Sequence, residues 1–181
     1  MTTEIFTAKE RTARLVGRSF AGAAAVALFA TGMGAVASAA PGGDTVANVG
    51  VTAGLTMTGL TPSFTLTGAP GATVAGLGAV IFNVETNNPT GYSVTVDTAA
   101  ATLAPATVGN TDSIPIAALT VRETGTGTYS PLGSGAVQVH TQGTRSANGG
   151  DALSNDYQMR MPVVAVDTYT ATLNYLATST L

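Results

Sequence analysis

Residues 78–98 read "GAVIFNVETNNPTGYSVTVDT". In the first half Val80, Phe82 and Val84 share one parity; in the second, Tyr92, Val94 and Val96 do. Side chains on a strand alternate between two faces, so each half reads as a strand with one buried side. Between them lies "NNPTG" (87–91), where proline fixes φ and glycine permits a positive φ. The stretch therefore predicts two strands, 79–86 and 92–98, folded on each other as an antiparallel hairpin with a five-residue connection.

The same period recurs on both sides. "NVGVTAGLTMT" (48–58) predicts a strand with Val49, Val51, Ala53, Leu55 and Met57 on one face. "SFTLTG" turns Phe64 and Leu66 inward, and "GAPGATVAG" (68–76) is a turn-rich break. Further strands are predicted in "IPIAALTVRET" (114–124), "AVQVHT" (136–141) and "YQMRMPV" (157–163), the last with Tyr157, Met159 and Met161 together. A glycine-rich crossing occupies 125–135 and a polar loop 142–156. "DTYTATLNYLATSTL" (167–181) closes the pattern, with Tyr169, Ala171, Leu173, Tyr175 and Ala177 on one parity. Thr and Val suit a pleated surface better than a helix, and no amphipathic helical pattern occurs after residue 40. Short strands separated by turns predict an all-β fold, an antiparallel β-sandwich of the immunoglobulin-like kind, with a closed barrel as the competing architecture.

Residues 1–39 differ from the rest. Lys9, Arg11, Arg14 and Arg18 precede the uncharged run "FAGAAAVALFATGMGAVASAA", and Ala37-Ser38-Ala39 has the small-x-small pattern of a signal-peptidase site. This predicts a helical signal peptide over 1–39, cleaved after Ala39, and a single exported domain over 40–181. A retained N-terminal membrane anchor is the alternative, although the densest apolar stretch, 21–30, is too short to span a bilayer.

From residue 40 on there are three basic residues, Arg122, Arg145 and Arg160, and eight acidic ones, a net charge of −5. Displacing counterions from a nucleic acid requires clustered cations, so nucleic-acid binding is excluded, and a membrane surface is disfavoured once the leader is gone. The 181 residues include no cysteine. That removes disulfides, thiol nucleophiles and Cys-ligated zinc, and leaves burial to hold the fold.

Reactive groups are few. His140 is the one histidine; Val137 and Val139 are read as facing the other way, which places it at an exposed strand end. No G-x-S-x-G occurs, and the carboxylates fall mostly at strand ends and loops, so no enzyme activity is expected. In "NGGDALSND" (148–156) Asn148, Asp151, Asn155 and Asp156 offer oxygen ligands for calcium, though not at EF-hand spacing. Tyr129, in "GTGTYSPLG", lies between glycines in a loop and is a candidate ligand contact. No cofactor other than calcium is expected.

"VDTYTATLNYLA" (166–177) resembles the C-terminal motif of WxL-type domains of Gram-positive bacteria, roughly Tyr-x-x-x-Leu-x-Trp-x-Leu. Tyr169 and Leu173 match; Tyr175 stands at the tryptophan position and Ala177 at the final leucine. "NNPTGYSVTVDT" is similar to a hairpin in the same group of cell-surface β proteins. The resemblance implies a secreted protein held non-covalently at the cell wall, with a wall polymer or other surface proteins, copies of itself included, as partners. A polysaccharide- or peptidoglycan-binding module is the alternative.

Overall fold

In a computed structural model of the chain, residues 44–133 and 135–181 are described. The leader expected at 1–39 lies outside them. The chain divides into two units, Met1–Ala47 and Asn48–Leu181. All of the described strands belong to the second.

The second unit is all-β with one short 3₁₀ turn, Ile116–Ala118. The strands are β1 (Leu55–Thr58), β2 (Thr73–Thr86), β3 (Tyr92–Asp97), β4 (Thr102–Pro105), β5 (Ile114–Pro115), β6 (Leu119–Glu123), β7 (Ser130–Pro131), β8 (Val137–Gln142), β9 (Asp151–Arg160), β10 (Tyr169–Thr170) and β11 (Asn174–Ser179). They form antiparallel sheets that do not close: a five-stranded one ordered β1-β2-β9-β6-β7, a three-stranded one ordered β11-β3-β8, and a small one ordered β10-β4-β5. Among the described residues, no helix is long and apolar enough to cross a membrane.

Alternation explains the core. Val80, Phe82 and Val84 of β2, Leu119 and Val121 of β6, and Tyr157 and Met159 of β9 pack in one cluster with Tyr92, Val94 and Val96 of β3 and Val139 of β8. One face of the five-stranded sheet and one face of the β11-β3-β8 sheet thus share a single apolar interior.

The expected hairpin is not formed. β2 pairs with β1 and β9, and β3 pairs with β11 and β8. The chain leaves one sheet at Thr86 and enters the other at Tyr92. Period-two alternation fixes which side of a strand is buried, and it does not choose the neighbour. The apolar sides of β2 and β3 could have lain side by side; instead they face each other. Asn88 holds the crossing, its Nδ2 donating to Gly91 O at 2.7 Å and to Thr180 O at 2.8 Å. Gly91 has φ +84°, and a Cβ there would collide with the backbone of Gln142.

Other boundaries move as well. Within 48–58 only Leu55–Thr58 is a strand, and Val49 and Val51 are 88% and 82% exposed. β1 meets the end of β2 at Leu55↔Thr86, so β2 offers no partner to residues before Leu55. "SFTLTG" joins no ladder, although Phe64 and Leu66 pack on the core. The break expected over 68–76 is shorter, because β2 already begins at Thr73; an irregularity between Gly76 and Val80 keeps its two halves in one ladder with β9. The polar loop expected to reach 156 ends at Asp151, where β9 starts.

Candidate functional site

Two polar pairs are built on consecutive residues of β6, on opposite faces of its sheet, where β6 approaches β8. β6 contributes Arg122 and Glu123; β8 contributes His140; Asp156 projects from β9 beside Arg122. A cleft of about 200 Å³ opens here, lined among others by Glu123, Thr126, Thr128, Ser130, Gln138 and His140.

His140 is not the exposed strand-end residue that parity suggested. Val94 pairs with His140 while Thr95 pairs with Gln138, so Val139 is an extra residue in β8. The bulge resets the alternation and turns His140 to the side of the fully buried Val94. Its side chain is 12% exposed, its ring centroid is 5.3 Å from that of Tyr92, and Nδ1 donates to Glu123 Oε1 at 2.7 Å. Nε2 is buried without a hydrogen-bond partner among the described residues.

Arg122 bridges two groups. Its Nε and Nη2 each approach Asp156 Oδ2 at 3.0 Å. Its guanidinium carbon stands 4.5 Å from the centroid of the Tyr129 ring. Tyr129 is in a loop, as expected, but it is half-buried and carries Arg122 against its ring. Asp156 also accepts from Gly78 N at 2.8 Å and Thr124 Oγ1 at 2.7 Å. Burial alone would raise its carboxyl. The Gly78 amide, the Thr124 hydroxyl and Arg122 outweigh that and hold it below the ordinary value.

The other oxygen donors weighed for calcium lie apart. Asn148 is exposed in the turn before β9. Asp151 accepts from Tyr92 Oη at 2.8 Å and from Ala147 N at 3.0 Å. Asn155 is buried, its Nδ2 donating to Arg122 O at 3.3 Å, and its Oδ1 is unpartnered among the described residues. Asp151 and Asn155 are four strand positions apart, about 13 Å along β9. Asn155 and Asp156 are consecutive and leave opposite faces of the sheet. The four residues are therefore not brought together, and among the described residues no three His, Asp or Glu side chains gather as a metal site.

A second, larger hollow of about 850 Å³ lies at the end of the sheets where β2 begins and β9 ends. Phe64, Leu66, Met159, Met161, Leu173 and Tyr175 give it apolar walls. Beside it Asp167 accepts from Asn110 Nδ2 at 2.8 Å and from Thr107 N at 3.0 Å, tying the chain before β10 to the loop after β4.

The Glu123–His140 pair and the Arg122 bridge are hidden from the sequence, because both depend on a bulge and on the β6–β9 register. Only the clustering of Arg122 and Glu123 in "TVRET" hints at them. No protein-family model, curated protein or solved structure matches this chain.

Proposed function

We propose that the protein is exported and serves without catalysis as a cell-surface or structural β-sandwich of the immunoglobulin-like kind, held non-covalently at a bacterial cell wall or assembled with copies of itself. The observation that carries this reading is the use made of the polar side chains. Asp151, Asp156, Asp167, Tyr92, Tyr157 and Tyr175 are bonded to one another, to neighbouring strands or to loops, where they hold the fold. Two sheets sharing one core, a leader-like 1–39 and the likeness of 166–177 to WxL-type domains support the same reading. Cell fractionation with intact-mass analysis tests it: the protein is expected in the envelope or medium with Ala40 at its N-terminus. A full-length cytoplasmic product overturns it.

The β6–β8 cleft favours a second reading, a module for polysaccharide or peptidoglycan. Thr126, Thr128, Ser130 and Gln138 place hydroxyls and an amide around the Glu123–His140 pair, a donor and acceptor set suited to sugar hydroxyls. Pull-down on purified wall and insoluble glycans, with and without chelator, tests both the binding and the calcium dependence. Retention lost on Gln138→Ala supports this alternative; no retention removes it.

A further inference from the structure

The apolar hollow and the N-terminal approach to β1 fit each other, but not within one molecule. The hollow is flanked by two extended stretches, Ser63–Thr67 and Ala171–Leu173. Each alternates exposed and half-buried residues as a strand does. Neither makes a backbone hydrogen bond to another described residue. An extended chain with unpaired N–H and C=O groups beside an apolar trough is a template for an added strand.

Residues 48–54, "NVGVTAG", join no sheet. Val49, Val51 and Ala53 share a parity, the two valines are almost fully exposed, and no charge occurs from Thr45 to Val84. The segment's exit is fixed at one end of the molecule. Gly54 N donates to Asn87 Oδ1 at 2.8 Å, Asn87 Nδ2 to Thr52 O at 2.7 Å, and Thr86 Oγ1 to Gly54 O at 2.7 Å. Following β1 backward from Thr58 to Leu55 leads toward Thr86, the last residue of β2. The residues before Leu55 therefore leave beyond that end of the sheet. The hollow lies at the other end, near Val74↔Met159 and Leu119↔Met159. Val80, the β2 residue that lines the hollow, is about 20 Å back along the strand from Thr86, and residues 48–54 head the opposite way.

We propose that residues 48–51 of one copy add as a strand to the hollow between Ser63–Thr67 and Ala171–Leu173 of a second copy, while Thr52–Gly54 stay tied to Thr86 and Asn87 of their own. The side chains of Val49 and Val51 enter the trough lined by Phe64, Leu66 and Leu173, and the donor's backbone pairs with the two flanking stretches. Donor and acceptor sit at opposite ends, so the contact is head-to-tail and leaves each new copy with a free donor and a free acceptor. Such an interface propagates as an open filament. This deepens the structural reading given above and rests on it.

The test uses the full chain and its Val49→Asp/Val51→Asp variant, followed by sedimentation velocity and electron microscopy over a wide concentration range. The wild-type chain is expected to form linear oligomers. The variant is expected to lose every species larger than the monomer while keeping the wild-type melting temperature, because both positions are exposed. A synthetic peptide of residues 46–54 is expected to bind the monomeric variant and to shorten wild-type oligomers. Thr65→Pro, which removes an N–H from one wall, is expected to abolish peptide binding in a chain with unchanged circular dichroism. A wild-type chain that stays monomeric overturns the proposal, as does a variant that assembles like wild type or fails to bind the peptide. Those results leave the surface-protein reading standing; fractionation to the cytoplasm removes that reading whatever the oligomers do.

Discussion

The phenol oxygens of Tyr157 and Tyr175 meet at 2.7 Å, one from the five-stranded sheet and one from the three-stranded sheet. This contact is a polar rivet in an apolar interior. Phe64 lies 4.4 Å from the Tyr157 ring and Phe82 lies 5.3 Å from the Tyr175 ring, centroid to centroid. Burial pushes the Tyr157 hydroxyl up to about 12, and it raises Tyr175 further still. Both stay neutral at any ordinary pH, so the bond is a neutral one. Removing one hydroxyl strands the other. Tyr157→Phe and Tyr175→Phe are each expected to cost about 1–2 kcal/mol, and the double variant less than their sum, because no unpaired hydroxyl then remains. Urea unfolding of the four proteins measures this.

Asp156 is 1% exposed and depends on Arg122 for its counter-charge. Arg122→Met leaves a buried carboxylate with only the Gly78 and Thr124 donors, and is expected to cost about 3 kcal/mol at neutral pH. The folded-state pKa of Asp156 lies below its ordinary 3.8. Its ionised form therefore contributes stability above about pH 4, and that contribution is lost as pH falls through the lower folded value. The penalty of Arg122→Met should accordingly shrink when unfolding is measured at about pH 3 instead of pH 7.

Asp167 behaves similarly on an exposed loop. The Asn110 amide, ahead of the Thr107 and Thr168 donors, brings its carboxyl down to about 2. The tie between the loop at 107–110 and the chain before β10 is thus complete above about pH 4 and released toward about pH 2. The protection of the Thr107 and Thr168 amides, relative to their intrinsic exchange rates, is expected to fall across that window in wild type. Asp167→Asn should show low protection at both amides at every pH.

Gly91 ends the crossing between sheets at φ +84°, pressed against the Gln142 backbone. An L-residue is strained at that φ, and its Cβ has no space. Gly91→Ala is expected to destabilise by about 3 kcal/mol or more. Gly109 also has a positive φ, +89°, but its Cβ would meet open space. Gly109→Ala is the matched control, expected to cost about 1 kcal/mol. Thermal melts of the two separate strain alone from strain with collision.

Much of the core is legible in the sequence. Val80, Phe82, Val84, Tyr92, Val94, Val96, Tyr157 and Met159 face inward as their parity predicts. What parity does not convey is partnership. The β2–β3 hairpin fails because two alternating stretches and a flexible link suit a crossing between layers as well as a turn within one. Parity misplaces His140 because a single extra residue, Val139, shifts every side chain beyond it to the other face. The polar stretch ending at Asp156 reads as loop because its buried Asn155 and Asp156 mimic turn chemistry, and only the neighbours Arg122, Thr124 and Gly78 make them tolerable in a strand.

The crossing at 87–91 also bears on how the chain acquires its shape. With the β2–β3 pairing ruled out, β2 has only the four-residue β1 nearby and otherwise needs β9, while β3 needs β8 and β11, all far downstream. The pairings between neighbouring strands, β1–β2, β4–β5 and β6–β7, are two to four residues long, whereas the ladders that carry the core are long-range, and loop-closure entropy is met before those contacts offset it. Folding is therefore expected to take milliseconds to seconds, with the flank of β3 bare until residues 174–179 dock upon it.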